Sequence, residues 1–152
     1  MPVGLLLVED DDFDVKRVTR GLSKLQDGRR VVRARDGAEA LKAIAGEDGV
    51  DAIRWPYVIM LDLNMPGMNG LEFLDQLHEA SPDRRPPTYV VTTSDYRVDV
   101  EEAYKRCIAG YIVKPRTSEE MVETLRSLSN LWDQFSFPST WKGGASAGPP
   151  CA

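Results

Sequence analysis

The sequence predicts an α/β protein in which helices cover both faces of an open, parallel β-sheet. Short apolar runs alternate with longer amphipathic segments five times along the 152 residues. The apolar runs are continuous, which is typical of strands that are buried on both faces. Because strands that alternate with helices are joined by right-handed crossovers, the sheet is expected to be parallel.

Each predicted strand is a short apolar run that stops at a polar residue. The runs cover residues 5–8, 31–32, 57–61, 89–91 and 111–113, of which the second has the weakest signal.

Each predicted helix carries apolar residues three or four positions apart, which places them on one face. In chain order these stripes are Val15, Val18, Leu22 and Leu25; Leu41, Ile44 and Ala45; Leu71, Leu74 and Leu77; Val100, Ala103, Tyr104 and Cys107; and Met121, Val122, Leu125, Leu128 and Trp132. The last helix opens at Thr117, which forms a predicted capping box with Glu120.

Polar side chains follow four of the strands, at the sheet edge where binding sites form in such folds. They are Glu9 and Asp10 after the first strand, Asp62 and Asn64 after the third, Thr92 after the fourth and Lys114 after the fifth. We therefore expect carboxylates, a hydroxyl group and one ammonium group to meet at this edge.

The first of these loops carries carboxylates at residues 9–12, where a nucleotide site would carry glycines. Carboxylates repel phosphate unless a cation lies between them, and Mg²⁺ prefers oxygen ligands. With Mg²⁺ bound, Asp62 could attack phosphorus and form an acyl phosphate. Lys114 would then neutralise one phosphoryl oxygen, and the hydroxyl of Thr92 would donate a hydrogen bond to another.

Several of these residues also have a purely structural interpretation. Acidic residues at a helix start usually cap the helix or offset its dipole, and we interpret Asp11, Asp12 and Asp14 in this way. The same interpretation stays open for Glu9 and Asp10. The only histidine, His78, is predicted to be a surface residue and not a phosphate carrier or ligand.

Four segments of the sequence resemble the receiver domains of two-component response regulators. They are Leu7-Val8-Glu9-Asp10-Asp11, Leu61-Asp62-Leu63-Asn64-Met65-Pro66-Gly67-Met68-Asn69-Gly70, Val91-Thr92-Thr93-Ser94 and Tyr111-Ile112-Val113-Lys114-Pro115. The resemblance covers about residues 3–131. It implies a flavodoxin-like (βα)5 doubly wound fold whose five-stranded parallel sheet has the order 2-1-3-4-5.

The resemblance also implies a role for each site residue. Asp62 would be the phosphoacceptor and Lys114 would pair with the phosphoryl group. Asp10 would bind Mg²⁺ directly, Glu9 would act through water, and Asn64 would contribute its backbone carbonyl. Glu9 stands where the family more often has aspartate, so the reach of its longer side chain to the metal is left open.

Two further implications concern the response to phosphorylation. Thr92 and Tyr111 match the family's switch pair, in which the hydroxyl moves toward the phosphoryl group and the aromatic ring turns inward. Plain core packing is the alternative for Tyr111. The peptide bond that precedes Pro115 is expected to be cis.

The chain is predicted to divide into a receiver domain over residues 1–135 and an aromatic arm with a flexible tail over residues 136–152. Trp132, Phe135, Phe137 and Trp141 are too crowded to be left exposed. We prefer an arm that crosses to a second copy and forms a homodimer. Folding back on the same chain is the alternative. This ending is similar to that of single-domain regulators that are paired with phytochrome-type histidine kinases.

The sequence thus predicts a signalling switch that takes a phosphoryl group from a sensor histidine kinase. We expect no enzymatic activity beyond its own phosphorylation and dephosphorylation, and we expect a partner protein, not an attached output domain, to provide the output. The net charge of -5 argues against nucleic-acid binding. The absence of a long apolar segment or signal peptide predicts no membrane association and a cytoplasmic location.

Three other functions would use the same fold or the same acidic residues. An aspartyl-phosphate hydrolase would need a second aspartate where Asn64 stands, and the acidic first loop disfavours a flavodoxin-like binding module. A phosphorylation-independent scaffold with the receiver fold stays open.

Overall fold

The computed structural model describes residues 2–47, 49–83 and 85–138. In chain order the elements are β1 (Gly4–Val8), α1 (Asp12–Lys24), β2 (Val31–Ala34), α2 (Gly37–Ala45), β3 (Tyr57–Leu61), α3 (Gly70–Ala80), β4 (Thr88–Thr92), α4 (Arg97–Lys105), β5 (Gly110–Val113) and α5 (Ser118–Asp133). None of the described helices is long and apolar enough to cross a membrane.

The five strands form one parallel sheet in the order β2-β1-β3-β4-β5, which confirms the predicted fold class. Within it, Val8 at the end of β1 pairs with Ala34 of β2 and Leu61 of β3. The residues that follow β1 and β3 therefore emerge side by side at the same edge. Every residue of β1, β3 and β4 is buried, as the continuous apolar runs predict.

Two hydrophobic cores lie on opposite faces of the sheet. Side chains of α2, α3 and α4 fill one core, which contains Phe73 and Leu77, and side chains of α1 and α5 fill the other, which contains Leu22 and Leu125. Because successive side chains of a strand point to opposite faces, Leu5 belongs to one core and Leu6 to the other.

Side-chain caps fix where the helices begin. The carboxylate of Asp11 accepts a hydrogen bond from the backbone N–H of Phe13 at the start of α1, and the hydroxyl of Thr117 accepts one from Glu120 at the start of α5. The carboxylate of Glu120 reaches the N–H of Arg116, so the predicted capping box closes one residue early. A cap of this kind contributes about 1 kcal/mol.

The peptide bond between Lys114 and Pro115 is trans, so the prediction of a cis bond at this position is wrong. Among the described residues, the cis peptide bond joins Trp55 to Pro56. Because the two isomers of an X–Pro bond differ by only about 0.5–1 kcal/mol, local contacts decide between them. Here the carbonyl oxygen of Pro115 accepts a hydrogen bond of 2.9 Å from the guanidinium of Arg17.

A buried polar network ties the α1–β2 loop to α5 at the far end of the molecule. The guanidinium of Arg29 donates to Asp27, Ser129 and Asp133 at 2.8–3.0 Å and lies 5.2 Å from the ring of Trp132. The hydroxyl of Ser129 also hydrogen-bonds to Asp27. The charge of Arg29 is thus compensated although its side chain is only 1% exposed.

The described aromatic residues near the end of the chain pack on their own molecule. Trp132 is fully buried, with its ring centroid 5.6 Å from that of Tyr89 in β4. Phe135 and Phe137 pack against the same core, and Phe137 also meets Trp55 edge-on at 5.3 Å. Trp132 is therefore buried without a second copy, because α5 places it against the sheet, whereas Phe135 and Phe137 are only half-buried and the homodimer stays a prediction. Trp141 lies outside the described residues.

Candidate functional site

Three carboxylates meet at the edge of the sheet where the strands end. Single oxygens of Glu9, Asp10 and Asp62 all lie within 4.8 Å of one another. Main-chain bonds hold them there, since the N–H of Asp62 donates to Val8 and the N–H of Glu9 donates to Ala34, both at 3.0 Å. Glu9 and Asp62 are buried, whereas Asp10 is exposed. The predicted acidic cluster is therefore present.

The two carboxylate oxygens of Asp62 have different partners. The Oδ1 atom accepts a hydrogen bond of 2.8 Å from the hydroxyl of Thr92 and one of 3.2 Å from the N–H of Asn64. The Oδ2 atom lies 3.3 Å from the ammonium of Lys114. The structure thus brings together Asp62, Thr92 and Lys114, although they come from three different strand ends.

Lys114 contacts two more carboxylates besides Asp62. Its Nζ atom lies 2.7 Å from Oδ2 of Asp14 and 2.9 Å from Oε2 of Glu9. The interpretation of Asp14 as dipole compensation alone is therefore wrong, because its side chain turns inward from the first turn of α1. Its position in the first turn of α1, close behind the acidic loop after β1, is the signal that could have identified it.

The other two acids of this segment keep the structural roles that the sequence predicts. Asp11 caps α1, and the exposed carboxylate of Asp12 pairs with Arg33 of β2 at 2.6 Å. Arg33 also donates to the backbone oxygens of Glu9 and Asp10 at 3.2 and 3.1 Å. Sequence reasoning did not identify Arg33, since it lies within a strand and outside the strand-end loops.

The electrostatics of the cluster favour a cation. Burial and the neighbouring charge of Asp62 raise the pKa of Glu9 to about 7, against the lowering effect of Lys114. Burial alone would lower the pKa of Lys114, but hydrogen bonds to Asp14 and Glu9 outweigh it and raise that pKa. Burial of Glu9 and its repulsion by Asp62 together thus exceed what one ammonium group offsets. A divalent ion with oxygen ligands would reduce this repulsion further, so the residues fit a site for Mg²⁺.

The remaining predicted residues lie around this centre. The side-chain amide of Asn64 is 3.4 Å from the hydroxyl of Thr92. The hydroxyl of Tyr111 donates to the backbone oxygen of Ser94 at 2.8 Å, and its ring packs partly against the core. His78 is half-buried near the end of α3, at the opposite end of that helix from the site.

A protein-family comparison matches residues 5–126 to a model described as the response regulator receiver domain. Among curated proteins, the "Probable methanogenesis regulatory protein FilR2" of Methanothrix harundinacea is 30% identical over 86% of this chain and 84% of its own length. The response regulator Rcp1 of Synechocystis is 28% identical over 86% of this chain and 89% of its own. The nitrate/nitrite regulator NarL of Escherichia coli is 35% identical, and the chain spans about half of it, 53%.

Solved structures of similar proteins share the fold over nearly the whole chain. The Mn²⁺-bound form of Rcp1 has a TM-score of 0.78 at 27% identity and covers 91% of this chain and 100% of its own. The phosphorylated cyanobacterial phytochrome response regulator RcpA has a TM-score of 0.80 at 25% identity, over 92% and 100%. RPA3017, a response regulator in red light signaling of R. palustris, has a TM-score of 0.79 at 29% identity, over 92% and 100%.

Proposed function

The chain belongs to the response regulator receiver domain family, and on this premise we propose that Asp62 accepts a phosphoryl group from a sensor histidine kinase while Mg²⁺ is bound beside it. The observation that carries this proposal is the environment of the Asp62 carboxylate. That carboxylate is 6% exposed and is contacted by a hydroxyl and an ammonium group, and two further acids are close enough to share a cation with it.

Asp10, Glu9 and Asp62 would hold the cation through their side chains, and Asn64 through its backbone carbonyl. When bound, Mg²⁺ would neutralise charge on the phosphoryl oxygens and on the crowded carboxylates. The metal bound in the Rcp1 structure is Mn²⁺, which also prefers oxygen ligands. The similarity of the two folds supports a divalent cation in this chain.

The residues of the chain itself supply the rest of the chemistry. An oxygen of the ionised Asp62 carboxylate forms a bond to phosphorus while the bond from phosphorus to the kinase histidine breaks, and the imidazole leaves with that electron pair. Lys114 lies close enough to neutralise a phosphoryl oxygen, and Thr92 can donate its hydroxyl hydrogen to another. Such a step depends on positioning and charge more than on covalent assistance.

Thr92 and Tyr111 would transmit the change in charge. Thr92 donates to Asp62, and two residues farther along the chain the backbone oxygen of Ser94 accepts from Tyr111. A shift of Thr92 toward the phosphoryl group would move the loop that carries Ser94, and this would change the contact that holds Tyr111. The proposed output is a changed surface around α4 and β5 that alters binding to a partner protein.

The related response regulators suggest which class of kinase is the donor. RcpA is called a phytochrome response regulator, and RPA3017 acts in red light signaling. We assign this chain a phytochrome-type kinase as its phosphodonor in the cytoplasm and a second copy of itself as an interaction partner. The protein would act as a switch, with no catalytic activity beyond its own phosphorylation and dephosphorylation.

Phosphorylation with a small-molecule phosphodonor tests the proposed function. The wild-type protein with Mg²⁺ is expected to gain the mass of one phosphoryl group, and Asp62→Asn to gain none. Asp12→Asn is the matched control, because it removes a charge from α1 at a side chain that pairs with Arg33 and not with Lys114. This variant should still gain the phosphoryl group. Absence of labelling in the wild type would support the scaffold alternative, and persistent labelling of Asp62→Asn would refute the assignment of Asp62.

Light scattering after size-exclusion chromatography tests the proposed dimer. The protein should elute with the mass of two chains in the presence of Mg²⁺ and beryllofluoride, an analogue of the phosphoryl group. A mass of one chain under these conditions, and also without the analogue, would rule the homodimer out.

A further inference from the structure

The ammonium group of Lys114 is shared among three carboxylates, and Asp62 is the most distant of them. Its Nζ atom lies 2.7 Å from Asp14, 2.9 Å from Glu9 and 3.3 Å from Asp62. A lysine ammonium group has three N–H donors, so these three carboxylates can take all of them. A phosphoryl oxygen on Asp62 would thus need an N–H donor from Lys114, whose shortest contact is with Asp14.

The position of Asp14 is fixed by α1 and by the loop that follows β5. The guanidinium of Arg17, one turn farther along α1, lies 3.6 Å from the other carboxylate oxygen of Asp14. The same guanidinium donates to the backbone oxygens of Pro115 and Thr117 at 2.9 and 2.7 Å. Asp14 and Arg17 therefore hold both Lys114 and the residues after it against the helix.

We propose that Asp14 is a positioning residue that competes with the phosphoryl group on Asp62 for the ammonium of Lys114. This inference rests on the proposed function. Asp14 weakens the hold of the site on the phosphoryl group, because it takes the closest N–H donor and adds a negative charge near a negatively charged ligand.

The same contact has the opposite effect on the cation. Asp14 shares the ammonium group of Lys114 with Glu9 and Asp62, so Lys114 offsets less of the charge on those two carboxylates and more of it is left for Mg²⁺. Its own negative charge also attracts the cation. Loss of Asp14 should therefore weaken cation binding and strengthen phosphoryl binding, whereas a merely loosened site would lose affinity for both.

The variant Asp14→Asn separates these effects, because it removes the charge and keeps almost the same shape. Binding of Mg²⁺ would be followed by NMR titration, and binding of beryllofluoride at saturating Mg²⁺ by calorimetry. We expect about threefold to tenfold weaker binding of Mg²⁺ and about threefold to tenfold tighter binding of beryllofluoride. Asp12→Asn, which removes an equal charge from the same helical turn, should change each affinity by less than about twofold because that charge is exposed.

The outcomes distinguish this inference from the proposed function. Opposite shifts in Asp14→Asn with small changes in Asp12→Asn would support the role of Asp14. Unchanged or weaker binding of beryllofluoride by Asp14→Asn, with normal binding by the wild type, would overturn the role of Asp14 alone. If wild-type protein bound no beryllofluoride at saturating Mg²⁺, both the proposed function and this inference would fail.

Discussion

At the level of single residues, the site is a balance between carboxylates that repel one another and one buried ammonium group. Burial disfavours the charge on Glu9, and the pKa of that carboxyl rises to about 7 even though Lys114 is 2.9 Å away. The carboxylate of Asp62 is stabilised by two hydrogen bonds at Oδ1 and by Lys114 at Oδ2. Acidic residues at such close range are therefore suited to binding a cation.

A second charged residue pair, at the opposite end of the molecule, gives a prediction about acid stability. Burial alone would raise the pKa of Asp27, but hydrogen bonds from Ser129 and Arg29 outweigh it and hold that pKa below its usual value. A carboxyl group with a lowered folded-state pKa stabilises the protein above its unfolded pKa of about 3.9 and loses that effect as the pH falls below it.

We therefore expect Asp27→Asn to be less stable than the wild type at pH 7, with a smaller difference at pH 3. Urea denaturation at the two pH values measures this. A difference in the free energy of unfolding that is as large at pH 3 as at pH 7 would contradict the lowered pKa of Asp27.

Most of the site residues that the sequence identified lie at the end of a strand or in the loop that follows it. Parallel strands end at one edge, so Glu9, Asp62, Thr92 and Lys114 could be placed together from chain order alone. Asp14 and Arg33 could not, because their contribution depends on side-chain direction. Asp14 turns inward from a helix, and Arg33 reaches across from a neighbouring strand to the loop after β1.

At the level of elements, the placement of α3 depends on a close backbone approach at Gly70. A Cβ atom on this residue would lie 2.7 Å from the backbone oxygen of Asp62 and 2.8 Å from the Cα atom of Leu63. Both are backbone atoms that cannot move independently, and the N–H of Gly70 donates to Leu63 at 3.0 Å. The start of α3 therefore rests directly on the loop that carries Asp62.

Gly70→Ala should destabilise the protein by about 1–3 kcal/mol, because the added methyl group forces α3 away from this loop. Phosphorylation of Asp62 should fall as well, since the loop shifts with the helix. Gly28→Ala is a suitable control, because a Cβ atom there meets nothing within 4 Å. Equal stability of the two variants in chemical denaturation would refute the steric argument.

The predicted elements differ from the observed ones where a strand lies at the edge of the sheet. Continuous apolar runs marked β1, β3 and β4 well because those strands are buried on both faces. The weak signal at residues 31–32 belongs to β2, an edge strand that continues through Arg33 to Ala34. Its residues are alternately half-buried and buried, so apolar continuity could not reveal its full length.

At the level of the whole molecule, cation binding should be linked to folding. A ligand that binds only the folded state stabilises it by about 2.7 kcal/mol at a concentration of about 100 times its Kd. Saturating Mg²⁺ should therefore raise the Tm of the wild type, and a chelator should reverse the effect. Asp10→Asn should lose most of the increase in Tm, because it removes a carboxylate that is proposed to hold the cation. An equal increase in both proteins would contradict the assignment of Asp10.

The aromatic residues near the end of the chain show what sequence patterns leave undetermined. Crowding of Trp132, Phe135 and Phe137 correctly indicated that these side chains are covered, but composition does not say by which surface. The answer depends on the packing of α5 against β4 and on the position of Trp55, which are properties of the folded chain. The division at residue 135 and the homodimer stay predictions.

The central claim is that Asp62 carries the phosphoryl group, and mapping the modified residue tests it most directly. Borohydride reduces an acyl phosphate to an alcohol, so phosphorylated aspartate becomes homoserine, which mass spectrometry can locate in a peptide digest. After phosphorylation in the presence of Mg²⁺, the account predicts homoserine at residue 62. Homoserine at another aspartate, or at no position in a protein that had gained phosphoryl mass, would contradict it.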